Sequence, residues 1–165
     1  MTPQMLFSKT LICTAVICAT IGLSASAASA QSRPFEGMAG VWSGSGTIEL
    51  EDGSKERIRC KATYAVSVEG TGLNQSLRCA SDSYKFELKS DVVATGGALS
   101  GQWTETSRGV AGSLQGHSGK GHFNVVVSSP AFTAKLDMTT NGNKQNVVVT
   151  SEGQLKAARI SLTKS

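Results

Sequence analysis

Beyond residue 40 apolar and polar residues alternate with a period of two, and that period predicts short half-buried β-strands. Ile58, Cys60, Ala62, Tyr64, Val66 and Val68 fall on one face, with Arg57, Arg59, Lys61, Thr63 and Ser67 on the other. Leu73, Leu77 and Cys79 then alternate with Asn74, Ser76 and Arg78, and the stretch from Gly70 to Gly72 supplies the reversal of a hairpin. If Val66 faces Leu73, then Tyr64 faces Gln75, Ala62 faces Leu77 and Cys60 faces Cys79, so every apolar residue shares one face. Directly opposed residues hold their Cβ atoms about 4.5–5.5 Å apart. A disulfide wants slightly less, and modest twisting closes the gap. A Cys60–Cys79 bridge is therefore expected.

The same reasoning upstream puts Trp42, Gly44, Gly46, Ile48 and Leu50 on one face, with Asp52-Gly53-Ser54 as the turn. Ile48 would face Ile58, and outside it Glu49 would meet Arg57 and Glu51 would meet Lys55 as cross-strand charge pairs. Later runs are led by Tyr84, Phe86 and Leu88, by Leu99, Gly101 and Trp103, by Val110, Gly112 and Leu114, and by Phe123, Val125 and Val127. Phe132, Ala134, Leu136 and Met138 follow Pro130. Asn141-Gly142 then predicts a tight hairpin with Val147 and Val149 opposite Leu136 and Ala134. From Leu155 to Thr163 the apolar phase changes, and a bulge near Ala158 would reconcile its two halves.

About ten short strands in succession with tight turns and no intervening helix predict an all-β fold, an antiparallel up-and-down meander closed into a barrel. Closure leaves no unpaired edge. A two-sheet β-sandwich is the alternative, although it usually needs longer crossovers.

The first thirty residues read differently. Lys9 precedes an apolar run from Leu11 to Leu23, and Ala28-Ser29-Ala30 supplies the small residues of an A-x-A cleavage site. The run is shorter than the roughly 20 residues of a membrane-spanning helix. The expected organisation is a cleavable signal peptide over 1–30, an N-terminal arm over 31–40 and one barrel domain over 41–165, exported to a periplasmic or secreted location. Two of the 4 cysteines lie in the leader, so Cys60 and Cys79 remain in a compartment where disulfides persist. The formal net charge is +4, with acidic residues interspersed among basic ones, so no nucleic-acid-binding tail is expected.

Gly40-Val41-Trp42 opens the first strand, and a G-x-W motif followed by an all-β meander resembles the calycin superfamily of lipocalin, avidin-like and fatty-acid-binding-like barrels. In lipocalins that tryptophan closes the barrel floor beneath a late-strand arginine, a role for which the resemblance nominates Arg159. The runs WSGSGTIEL, ERIRCKATY and QSLRCASDSYKFEL are also similar to small exported bacterial proteins of unassigned function. The chain departs from the lipocalin pattern in having nearer ten strands than eight, no long lid loop and no C-terminal helix.

Catalytic chemistry needs convergent groups, such as a nucleophile beside a base or two carboxylates around one pocket. None is legible here, and the chain is expected not to be an enzyme. The 2 histidines, His117 and His122, have an odd spacing that would send them to opposite faces of one strand, which does not suit a shared metal. No metal and no cofactor are expected. Glu105 shares the phase of Trp103, so its carboxylate either points inward toward the barrel mouth or, if the strand ends first, into solvent. Gln75 is a second inward polar group.

The inward glycines 44, 46, 101 and 112 mark sharp bends or room for a guest. A cavity would be lined by Trp42, Tyr64, Gln75, Tyr84, Phe86, Trp103, Glu105 and Phe123, and would suit a small apolar or amphipathic ligand. A filled core is the other possibility. The protein would then act through its surface, for example as a barrel inhibitor of proteases working through the arm. On the outside Arg59, Lys61, Arg78, Lys85 and Lys89 form a basic patch suited to an anionic envelope lipid or an acidic protein. No transmembrane segment is expected in the mature form.

Overall fold

A computed structural model describes residues 32–165, so the expected leader and its cleavage site lie outside the described residues. Ten strands follow in order: β1 (Gly40–Leu50), β2 (Lys55–Val66), β3 (Gly72–Ala80), β4 (Lys85–Thr95), β5 (Ala98–Glu105), β6 (Val110–Gly119), β7 (His122–Ser128), β8 (Thr133–Asn141), β9 (Lys144–Ser151) and β10 (Leu155–Lys164). Each pairs antiparallel with the next, and β10 returns to pair with β1. The all-β barrel is thus the fold, and the sandwich is not, because every strand has two hydrogen-bonded neighbours.

The period of two decides which residues build the interior. On β2, Ile58, Cys60, Ala62 and Tyr64 are buried while Arg57, Arg59, Lys61 and Thr63 are exposed. Val68 does not extend the inner face as expected: β2 ends at Val66, and the turn leaves Val68 89% exposed. The β2–β3 register is the expected one, with Cys60 opposite Cys79 and a disulfide of S–S 2.07 Å between them.

Two other registers differ from expectation by two residues. Between β1 and β2, Glu49 faces Lys55 and Gly46 faces Ile58. The turn decides this: the Leu50 amide donates to the Ser54 carbonyl (2.9 Å), the Gly53 amide to the Leu50 carbonyl (3.0 Å) and the Ser54 amide to Asp52 Oδ1 (2.9 Å). Between β8 and β9, Leu136 faces Val149 and Met138 faces Val147, because the two-residue loop is Gly142-Asn143 and not Asn141-Gly142. Gly142, at φ 57°, takes the first loop position, where a type II′ turn requires glycine. A shift of two residues leaves every side chain on its original face, so alternation alone cannot detect it.

Successive turns fall at alternate ends of the barrel. At the end holding the β2–β3 turn, segment 32–39 folds across the opening instead of extending as an arm. Phe35 and Met38 are each 1% exposed, and the Phe35 ring stacks on Phe123 with centroids 5.9 Å apart. The Phe35 amide donates to the Gly70 carbonyl (3.2 Å), and the Arg33 guanidinium donates to the carbonyls of Val68 and Glu69. Trp42 joins this floor, its indole Nε1 donating to the Met38 carbonyl at 2.8 Å.

Arg159 does not cover Trp42. It is exposed on the outer face of β10, because the register shift opposite Glu49 and Leu50 leaves Lys156 without a cross-strand partner and inverts the phase downstream. The expected bulge is therefore present, two residues before Ala158. It turns Ala158, Ile160 and Leu162 inward.

The inward glycines mark close approach of neighbouring strands. A Cβ on Gly44 would lie 1.9 Å from the Ser161 carbonyl oxygen, and one on Gly112 would lie 1.9 Å from that of Ser128. Gly46 and Gly101 meet backbone oxygens in the same way. Each is thus pressed against the backbone of a neighbouring strand, and none of the four borders the interior space.

Candidate functional site

The barrel encloses a cavity of about 530 Å³, walled almost entirely by apolar side chains. Small-molecule sites commonly span roughly 300–1,000 Å³. Segment 32–39 closes one end. The other is ringed by residues of alternate turns, among them Tyr84, Arg108, Phe132 and Gln154.

Register assembles the polar part of the wall. Tyr64 on β2 faces Gln75 on β3, Gln75 faces Ser90 on β4, and Ser90 faces Trp103 on β5. Four side chains distant in sequence therefore stand side by side. The Ser90 hydroxyl donates to Gln75 Oε1 at 3.1 Å, which uses the acceptor of that amide and leaves its NH₂ without a partner among the described residues. Trp103 is 3% exposed and spends its Nε1–H on the Ser113 carbonyl (3.0 Å), so it offers the cavity an apolar ring. Gly112 lies opposite Trp103 and leaves the indole space against the wall.

At the floor, the Tyr64 hydroxyl donates to Gln145 Oε1 at 2.8 Å, and Gln145 Nε2 donates to Thr140 Oγ1 at 3.1 Å. Burial pushes the Tyr64 phenol up to about 12, although the bond to Gln145 acts in the opposite direction. At the mouth, Glu105 is 3% exposed and points inward, the first of the two orientations its strand allowed. Burial raises its carboxyl, yet hydrogen bonds from the Ser107 hydroxyl and from the amides of Glu87, Ser107 and Arg108 outweigh that and hold it below the usual carboxylate range. Its lone pairs organise the β5–β6 turn, so it is not free to orient a ligand directly.

Arg108 follows from that turn. Its guanidinium lies 3.7 Å from Glu105 Oε2, donates to the Lys85 carbonyl and stacks over the Tyr84 ring at 4.7 Å. Burial raises the Tyr84 phenol, with Arg108 opposing.

Of the eight expected lining residues, Tyr64, Gln75, Tyr84, Phe86, Trp103, Glu105 and Phe123 all border the cavity. Trp42 does not. It is fully buried beneath the cavity in the floor. Ser90, Arg108, Phe132, Phe35 and Gln145 were not anticipated in these roles. For Phe35 the signal was available, since an aromatic just ahead of the first strand suits a plug; for the others it lies only in the register.

His117 and His122 stand on different strands, β6 and β7, separated by the turn at Lys120 and Gly121, and both are exposed on the outer face. The expectation of opposite faces assumed one continuous strand. Among the described residues no group of three or more His, Cys, Asp or Glu is arranged to hold a metal ion, and no helix is long and apolar enough to cross a membrane. The basic residues Arg59, Lys61, Arg78, Lys85 and Lys89 are all exposed, with Lys61 directly opposite Arg78.

No protein-family model and no curated protein matches the chain. Solved structures do match its fold. Rv2717c from M. tuberculosis superposes with a TM-score of 0.63 at 10% identity, covering 79% of this chain and 94% of its own. The S-type phycobiliprotein lyase CPES from Guillardia theta gives a TM-score of 0.62 at 10% identity, covering 79% of this chain and 90% of its own. At these identities the likeness shows the fold, a ten-stranded antiparallel barrel, and no more. It does correct one expectation. A barrel of this fold belongs to a protein named as a lyase, so the step from a missing linear motif to "not an enzyme" does not hold. Interior groups in a barrel converge through strand register, and a sequence motif is a poor guide to them.

Proposed function

We propose that the barrel interior binds a small, predominantly apolar molecule carrying a hydrogen-bond-accepting oxygen, in a protein exported from the cytoplasm. The observation that carries this reading is the cavity of about 530 Å³ with the Gln75–Ser90 pair set into an otherwise apolar wall. The apolar wall favours the body of such a molecule through the hydrophobic effect, and the free Gln75 NH₂ gives it an orientation. Trp103 and Phe132, tilted against each other at 5.6 Å, supply flat surfaces for a planar or elongated guest. Export is supported by the leader sequence and by the Cys60–Cys79 disulfide.

The surface-acting alternative expected a filled core, with a protease inhibitor working through the arm as one example. The interior holds a cavity, and Phe35 and Met38 of the arm are buried.

Binding is tested with an apolar naphthylamine dye, whose emission rises on entering a dry pocket, and by native mass spectrometry of protein purified from its own host. The expected results are dye uptake by the wild-type barrel, reduced uptake by Trp103→Ala, and little uptake by Leu77→Trp, which fills the wall. Equal uptake by a folded Leu77→Trp variant would sink the proposal. The mass of the host-purified protein also reports export, with Gln31 expected as the first residue.

A further inference from the structure

The outer surface of the barrel is electrically lopsided. On the outer faces of β2–β4, six cations that include Arg57, Arg59, Lys61 and Lys89 are joined by Lys55, and only Glu87 and Asp91 oppose them. Glu87 lies 3.8 Å from Arg78 and 3.4 Å from Lys85, and Lys55 pairs with Glu49 of β1 at 3.6 Å. Asp91 accepts from Asn74 instead. Arg59, Lys61 and Lys89 form no ion pair among the described residues. The outer faces of β5–β9 carry only Lys135, Lys144 and Asp137.

Register makes the imbalance costly to the isolated protein. Lys61 sits directly across from Arg78, where like charges repel, with Ser43 on the other side of Lys61. Most neighbouring outward residues of β1 and β10 are small and hydroxylated, namely Ser43, Ser45, Thr47, Ser161 and Thr163, and Arg159 adds a further cation directly opposite Thr47 while Glu49 is taken up by Lys55. No aromatic side chain projects from this face. Protein–protein interfaces concentrate aromatic anchors and are depleted in lysine, and single-stranded nucleic acids need stacking platforms, so neither partner matches. A smooth, hydroxyl-rich, cationic surface matches a diffuse array of negative charge.

We propose that the outer face of β2–β4 docks on an anionic lipid surface, with the barrel lying on its side. The orientation follows from the rim of the mouth, where Glu51, Asp52, Asp82 and Glu152 stand exposed in the turns against one cation, Arg108, which is paired with Glu105. Those carboxylates are repelled by the same surface, so the mouth faces along it and not into it. Docking of this kind is electrostatic and decays over a Debye length, about 10 Å at 0.1 M salt. It does not depend on what occupies the interior.

The test is co-sedimentation of the full-length mature protein with vesicles of phosphatidylcholine alone or with about one third phosphatidylglycerol. Binding to the anionic vesicles only, at low salt, and its loss in high salt are expected. Lys61→Glu/Arg78→Glu should weaken it about tenfold or more, and the milder Arg59→Gln/Lys89→Gln should weaken it severalfold if the reversal variant misfolds. Lys135→Glu/Lys144→Glu on the opposite wall should leave binding as it was. The proposal is overturned if anionic vesicles are not bound at low salt, if both walls contribute equally, or if polyglutamate is captured through Lys61 and Arg78 while vesicles are not. Dye uptake by the interior is measured separately in solution, so failure of either reading leaves the other standing.

Discussion

The Tyr64 hydroxyl reaches across the floor of the barrel to Gln145 Oε1 at 2.8 Å, joining residues 81 positions apart. Gln145 is fully buried, and Tyr64 is its only phenolic partner there. Removing one member strands the other in a dry site, and a buried unsatisfied polar group costs about 1–3 kcal/mol. Tyr64→Phe should therefore destabilise the fold by that amount in urea denaturation. Pairing it with Gln145→Met should recover much of the loss, and an additive double variant would show that the bond is not what matters.

The same phenol governs alkaline behaviour. Its folded-state value, raised to about 12, lies above the ordinary 10, so the folded state holds the proton more tightly than the unfolded chain does. The associated stability is fully present below pH 10 and is lost as pH rises from about 10 toward 12, worth about 2–3 kcal/mol by linkage. Tyr64→Phe should lack this component. Parallel alkaline titrations of stability for the two proteins would refute the assignment.

Glu105 acts in the opposite direction. Its carboxyl is held below the usual range in the fold, so its contribution is present at neutral pH and is lost as pH falls through the carboxylate range. Glu105→Gln places an NH₂ group among donors and should cost about 1–3 kcal/mol at pH 7. The difference from wild type should shrink below the ordinary glutamate value. Because Arg108 is positioned through Glu105, the variant should also release the stacking of Arg108 on Tyr84, readable as a change in near-ultraviolet dichroism.

The disulfide closes a loop with a sequence separation of 19. A loop of that size is expected to contribute about 3 kcal/mol by restricting the unfolded chain. Cys60→Ala/Cys79→Ala, or reduction of the wild type, should lower the melting temperature while preserving the far-ultraviolet spectrum. Intact mass supplies the direct check, since reduction adds two hydrogens to a bridged chain and none to a free pair.

Gly112 separates two explanations for small inward residues. An added methyl would overlap the Ser128 carbonyl oxygen at 1.9 Å and the Trp103 ring at 2.9 Å. Gly112→Ala should cost about 1–3 kcal/mol if the glycine exists to let strands approach. Near-neutral stability with reduced dye uptake would instead assign it to the cavity.

Much of this barrel was legible in the chain because a strand's two faces are written in alternate residues. Ile58, Cys60, Ala62 and Tyr64 declared the inner wall, and the β2–β3 register followed from demanding that all apolar residues share it. That demand also brought Cys60 to Cys79. Period-two patterns cannot register a slip of two residues, so the β1–β2 and β8–β9 pairings waited for turn hydrogen bonds at Ser54 and for the positive φ of Gly142.

The chain by itself thus determined strand identity, the facing of the regular strands, the meander and the disulfide, all of which depend on neighbours close in sequence or on one hairpin. Tertiary structure decided the rest. Whether Trp42 lines or floors the interior depends on where Phe35 and Met38 fold, and the direction of Arg159 depends on a bulge set by β1. The Gln75–Ser90 pair and the Tyr64–Gln145 bond exist because strands remote in sequence meet at one level of a closed sheet. A cavity is the space that these placements leave unfilled, a property of the assembled walls and of no single residue.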